Sequence, residues 1–342
     1  MSKILTFIFM LSLAGTATAT PRVVTSIPPV QGLVADIMRG AGTPTLLLDG
    51  TVSPHDFALR PSQARELAEA DLVFGVGLGL DFWLLDNGYS RIVYLGNTDG
   101  LNLYTYRELK EFREIEELTY NNDDLDYSLE YEAEEEQFDA TDPEVEAFIA
   151  DLIGDADALD DDHDGDDHDD HNRAAGGVDP HIWLDPQNAI ILVDAITEVL
   201  TSVDLVNEAI YRDNASQLKR DIMSAADKAR FNFDRLSDMD LVTTHDSIQY
   251  LERAFDLHVI GALSSADGVA AGARSLSSIY QQIGTGACLL VDINEPHGVA
   301  GNPFGEVPTV EIDPLGSTLI AAPNYYPRLL ETLAEAMSYC RQ

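Results

Sequence analysis

The chain has 342 residues, of which 60 are Asp or Glu and 20 are Lys or Arg, for a formal net charge of -40. That balance excludes a polyanionic partner such as nucleic acid, whose phosphates require clustered Lys and Arg. The charge is uneven: between Arg107 and Asn172, 28 acidic residues face three basic ones, so this segment alone carries -25.

In chain order, the first element reads as an export signal. Lys3 supplies a small positive region, Ile4 to Leu13 an apolar run, and Ala17-Thr18-Ala19 a small-residue cleavage site. The run is too short to span a bilayer, which takes about 20 apolar residues. No cysteine follows it to carry a lipid anchor, and no later stretch is apolar enough to cross a membrane. Residues 1–19 are therefore expected to be removed, leaving a free chain from Thr20. Roughly 320 residues exceed the usual limit of one hydrophobic core, so two domains are expected.

Short apolar runs rich in Val, Leu and Ile predict strands at Arg22–Ser26, Thr43–Leu48, Asp71–Val76 and Arg91–Leu95. Helical periodicity falls between them at Val30–Arg39 and Pro61–Ala70. The acidic stretch follows, from about Asn97 to Val178. It is poor in aliphatic residues and is expected to be mostly disordered, with room for a helix near Pro143–Ile153. Helices are predicted at Pro186–Leu200, with Asp185 as cap and Pro186 in the first position, and at Asn207–Leu236. A second set of strands follows at Met239–Thr244, Leu257–Ala262, Ala287–Ile293 and Pro308–Ile312, alternating with helices at Asp246–Phe255 and Arg274–Ile283. Strands separated by helices imply parallel sheets, and four strands on either side of the long helices imply two α/β lobes. No residue-level repeat accompanies them.

Two cysteines, Cys288 and Cys340, lie in a chain expected to be exported, where disulfides persist. A bridge would close a loop of about 50 residues and stabilise by roughly 4 kcal/mol. The alternative is a pair of unbridged buried thiols.

Four short motifs carry metal chemistry. His55 stands in Ser53-Pro54-His55-Asp56-Phe57, after the second predicted strand, and His181 in Asp179-Pro180-His181-Ile182-Trp183-Leu184-Asp185-Pro186, just before a helix. His245 follows the strand Met239–Thr244, and Asp313 follows Pro308–Ile312. Three of the four stand just beyond the carboxyl ends of predicted parallel strands, where open α/β sheets bind ligands. Two belong to each lobe, so they can meet across a cleft. Three imidazoles and a carboxylate suit tetrahedral zinc, with Zn–N near about 2.0–2.1 Å. An oxygen-rich shell would suit manganese instead, which stands second. Farther upstream, His163, His168 and His171 sit among carboxylates and could collect divalent cations weakly; the alternative is a solvated acidic loop with incidental histidines.

In this order and at these separations, the motifs resemble the metal-binding solute receptors of bacterial ABC importers (the TroA-like superfamily), most closely the high-affinity zinc receptors of ZnuA type. The residues that carry the resemblance are Pro54-His55-Asp56-Phe57 with Leu59-Arg60-Pro61-Ser62, His181 to Pro186, His245-Asp246 leading into Leu251 to Leu257, and Asp313-Pro314-Leu315-Gly316. The acidic insertion before the second motif and the two cysteines resemble that family too. The resemblance implies two similar α/β lobes joined by a long rigid helix, with the metal in the cleft. The expected division is 20–185, a linker helix at 186–204, and 205–342. It also implies a periplasmic, monomeric Zn2+ receptor that serves an ABC permease, with His55, His181 and His245 as ligands.

Manganese receptors commonly carry Glu where His245 stands. Some zinc receptors carry Glu where Pro54 stands, so the fourth place falls to Asp313 or water, with Asp313 preferred. In Glu295-Pro296-His297-Gly298, His297 departs from the family's run and is not expected to bind metal. His258 is expected to be structural and Trp183 to pack beside the site. Asp179, Asp185 and Asp246 either orient the ligating rings or cap helices and turns. A zinc hydrolase would also use three protein ligands, but no His-Glu-x-x-His helix and no glutamate base beside a ligand is found. A metal buffer or adhesin of the same fold is the remaining alternative.

Overall fold

The computed structural model describes residues 20–50, 52–87, 91–107, 177–266, 268–284, 286–294, 304–305, 307–319 and 323–341. The export signal, the helix expected at Pro143–Ile153, the histidines His163, His168 and His171, and His297 all lie outside them.

Two four-stranded sheets organise the described residues, and every strand pair in them is parallel. In the first, β1 (Val23–Thr25), β2 (Thr45–Leu46), β3 (Leu72–Gly75) and β4 (Ile92–Tyr94) run in the order β2-β1-β3-β4. In the second, β5 (Asp240–Thr243), β6 (His258–Ala262), β7 (Cys288–Asp292) and β8 (Thr309–Ile312) run in the order β6-β5-β7-β8. The same winding thus occurs twice without a sequence repeat, and the fold class read from the sequence holds. Central strands covered on both faces read as continuous apolar runs, as Leu72-Val73-Phe74 and Leu289-Leu290 do.

Helices cover the sheets: α1 (Pro28–Met38), α2 (Pro61–Ala68), α3 (Pro186–Val203), α4 (Glu208–Phe233), α5 (Gln249–Phe255), α6 (Ala273–Gln282) and α7 (Tyr325–Ser338). Helix α3 starts where expected: Pro186 occupies the first turn, and the Asp185 carboxylate accepts from the Gln187 N–H at 2.7 Å. Such a cap is worth about 1 kcal/mol. Helix α4 has 26 residues and so is about 39 Å long. It buries Tyr211, Ala215, Leu218, Ile222, Ala225, Ala229 and Phe233, a stripe spaced by three and four that faces one side. Through that stripe it meets α1, α3 and α7. The longest helix is therefore the one after the segment read as linker. Among the described residues, no helix is long and apolar enough to cross a membrane.

Helix α7 is an element the sequence reading did not anticipate. It crosses back onto α1. The buried Asp36 of α1 accepts the Asn324 and Tyr325 N–H groups at 3.1 and 3.0 Å, capping α7 from the far end of the sequence. Below it, Gly32 lets the Tyr325 ring approach so closely that an added Cβ would lie 2.2 Å from it. Gly32→Ala is expected to cost about 1–3 kcal/mol through overpacking. Urea denaturation checks this, and an unchanged midpoint would refute the tight contact. Cys288, at the start of β7, is bridged to Cys340 just beyond α7, with a Cα–Cα distance of 5.6 Å.

Candidate metal centre

Three loops bring the expected histidines together. After β2 the chain turns into a 3₁₀ turn, Pro54–Asp56, where the Ser53 hydroxyl accepts the His55 N–H at 3.1 Å. His181 precedes the 3₁₀ turn Ile182–Leu184, and one oxygen of Asp179 accepts its backbone N–H at 2.9 Å and faces its ring Nδ1 at 2.8 Å. His245 stands two residues beyond β5, its carbonyl accepting the Thr243 hydroxyl at 2.6 Å and its Nδ1 lying 3.3 Å from the Ser264 hydroxyl.

The ring centroids are 6.0 Å apart for His55 and His181, 5.5 Å for His55 and His245, and 5.2 Å for His181 and His245. One nitrogen from each ring lies within 4.8 Å of the other two. A point central to three atoms so spaced is about 2.8 Å from each, so rings moving inward by about 0.7 Å would reach Zn–N bonding distance. The donor set suits zinc: three imidazoles and no thiolate, since both cysteines are bridged. The Nε2 atom of His245 is buried and has no hydrogen-bond partner among the described residues, as a nitrogen reserved for a cation would be.

Electrostatics prepare the rings differently. Burial, followed by the neighbouring His181 and His55 rings, holds His245 well below the ordinary histidine pKa, so it is neutral and able to ligate. For His181, burial also favours the neutral ring, but Asp179's charge and hydrogen bond, with Asp292 and Asp246, outweigh it and raise the pKa. A ligating imidazole typically gives its second N–H to a carboxylate, and Asp179 is that partner for His181.

The other candidates are distributed more plainly. Asp313 does not join the cluster. Its two oxygens accept from the Asn294 amide at 2.9 Å, the Ser317 N–H at 3.0 Å and the Thr318 N–H and hydroxyl at 2.9 and 2.8 Å, so it organises its own loop. Among the described residues, the carboxylate that lines the same cavity as the three histidines is Asp292, at the end of β7, although it too stands outside their group. Sequence reading missed it. Asp185 caps α3, and Asp246 holds Arg107 rather than a ring. Trp183 stacks edge-on to His181 at 5.3 Å, donates to the Pro314 carbonyl at 3.0 Å and lines the cavity. His258 forms an exposed pair with Asp240 at 3.0 Å, away from the cluster.

Twin parallel α/β lobes, with candidate ligands drawn from loops of both, define a solute-binding protein of the bilobal metal-receptor class. A family model described as zinc-uptake complex component A, periplasmic, matches residues 23–340, and the chain belongs to that family. It is 27% identical over 344 residues to the high-affinity zinc uptake system protein ZnuA of Brucella abortus, covering 97% of this chain and 96% of that protein. It is also 27% identical over 325 residues to the protein of the same description from Paracoccus denitrificans, covering 94% and 91% of the two chains. The periplasmic zinc-binding protein TroA of Treponema pallidum shares the fold, with a TM-score of 0.60 at 16% identity and coverage of 93% and 99%.

Proposed function

We infer that this chain is a periplasmic receptor that captures one Zn2+ between its lobes on His55, His181 and His245 and passes it to the permease of an ABC importer. The observation that carries this reading is the convergence of three sequence-distant imidazoles to within 4.8 Å of one another. Membership of the zinc-uptake family supports the choice of ion and of importer. Manganese is disfavoured by the all-nitrogen cluster. The fourth coordination place goes to water, to Asp313 or to Asp292: Asp292 lines the cavity, both carboxylates accept hydrogen bonds from their own loops, and neither stands within the three-histidine group. We keep the lobe division at 20–185 and 205–342, and the weak collection of cations by His163, His168 and His171, as parts of the same proposal.

In this reading the chain's own residues hold, orient and release the ion. Asp179 fixes the His181 ring, and Trp183 and Leu315 shield the cavity. Metal analysis of protein purified without chelator or tag tests the proposal. One tightly held zinc per chain, with no turnover of esters or peptides, is expected; a zinc-free chain that takes up none, or a steady hydrolytic rate, refutes it.

Acidification should weaken capture, with a sign fixed by the two shifts. Zinc needs neutral imidazoles, so protons compete. His181, raised above the ordinary histidine value of about 6.5, takes its proton first as pH falls, whereas His245 stays neutral. Affinity is therefore expected to fall about tenfold per pH unit once the pH drops through the His181 pKa, beginning above about 6.5. A chelator-competition titration from pH 8 to 5.5 reads the slope (~1 in log K). A flat profile would contradict it.

A further inference from the structure

Arg107 is the last described residue before the acidic run, and Gly177 is the first after it. These flanks close on each other. The Tyr106 N–H donates to the Gly177 carbonyl at 2.8 Å, the Asp179 N–H donates to the Tyr104 carbonyl at 2.8 Å, and Thr105 pairs with Val178 in an antiparallel bridge. The acidic run is thus rooted on a short two-stranded strap that leads straight into Asp179 and His181.

From that strap Arg107 points inward. Its guanidinium forks onto both oxygens of Asp246, with Nε 3.1 Å from Oδ2, and its Nη1 reaches Glu252. The Arg107, Asp246 and Glu252 side chains are 9%, 0% and 2% exposed, so this is a buried clamp and not a surface ion pair. Asp246 directly follows His245, and its own N–H is fixed to the Ser264 carbonyl at 3.0 Å. Tyr250 completes the belt by donating its hydroxyl to the Asp179 carbonyl at 2.8 Å. Removal of one partner from such a buried charged group leaves the others stranded, and the backbone that carries them must shift.

We propose that Arg107 is a positioning residue for the metal centre: by clamping Asp246 it fixes the backbone at His245 and ties the root of the acidic run to a ligand of the second lobe. The proposal rests on reading the three-histidine cluster as the zinc site. Its sign separates it from a charge effect. A guanidinium near a dication repels it, so deleting that charge should tighten zinc binding if Coulomb's law alone acted. Loss of a positioning contact should weaken it.

The test uses the full chain carrying Arg107→Gln or Arg107→Lys. Zinc affinity is read by chelator competition, and the Co2+ ligand-field spectrum reports the shape of the site. Arg107→Gln is expected to weaken zinc binding by about tenfold, the low end of what loss of a ligand's direct outer partner costs, because Arg107 acts on His245 through the neighbouring Asp246. Arg107→Lys keeps the charge and loses the fork, and is expected to weaken binding about 3- to 10-fold, because the two are not equivalent at bidentate sites. Both should shift the Co2+ bands, which a merely stabilising role would leave alone. Lysine keeps the buried carboxylates paired, so that variant is the one read should glutamine not fold. Wild-type affinity and spectrum in the lysine variant would overturn the proposal, as would tighter binding in the glutamine variant. Wild-type zinc affinity in His245→Ala would instead bring down the three-histidine reading.

Discussion

Alanine at His55, His181 or His245 is expected to lower zinc affinity by about 10²- to 10³-fold. Zinc sites with four protein ligands are worth about 10–16 kcal/mol near neutral pH, so one imidazole contributes about 3–4 kcal/mol. The three variants carry different information. His55 belongs to the first lobe and His245 to the second, so equal losses at both would require the ion to bridge the lobes. A site confined to the second lobe would ignore His55→Ala. His181→Ala also leaves Asp179, which is fully buried, without its imidazole, and should lower stability by about 1–3 kcal/mol. His258→Ala is the control, because its exposed pairing with Asp240 lies away from the cluster. Isothermal titration of the four variants decides the matter; wild-type affinity in any of the first three removes that residue from the site.

Reduction of the Cys288–Cys340 bridge, or its replacement by Cys288→Ala with Cys340→Ala, is expected to destabilise the fold by about 4 kcal/mol. The value follows from the loop-closure entropy of a 52-residue separation. The location adds a local effect. Cys288 opens the central strand β7, and Cys340 lies just beyond α7, so the bridge pins the helix that covers the second sheet to the strand whose far end reaches the metal cavity. Urea denaturation with and without reductant measures the difference. Coincident midpoints would show that the native fold gains nothing from the bridge.

Much of this was legible in the sequence because the signals are local. Alternating apolar runs and helical periods announced two parallel sheets, and the cap at Asp185 with Pro186 fixed the start of α3 within a residue. The three histidines were legible because each sits in a turn beside a strand end or helix start. Asp292 was not. The reading carried the seventh strand through Ile293, but the strand ends at Asp292, so that carboxylate looked like a strand interior residue. Asp313 follows the edge strand β8, whereas Asp292 ends the central strand β7, beside the point where the winding of the sheet ordered β6-β5-β7-β8 reverses, between β5 and β7. Strand order is a tertiary property that no local pattern shows. Arg107 was hidden for a similar reason. It opens a run of acidic residues and reads as a solvated charge, whereas its partners Asp246 and Glu252 lie more than a hundred residues downstream.

The cap that Asp36 lends to Asn324 and Tyr325 spans 288 and 289 positions of sequence. A contact of that span cannot form until nearly the entire chain is present, and such distant pairings slow the approach to the native state. Asp36 thus acts as a clasp between the first helix and the last, and it closes only when both ends of the chain have taken their places.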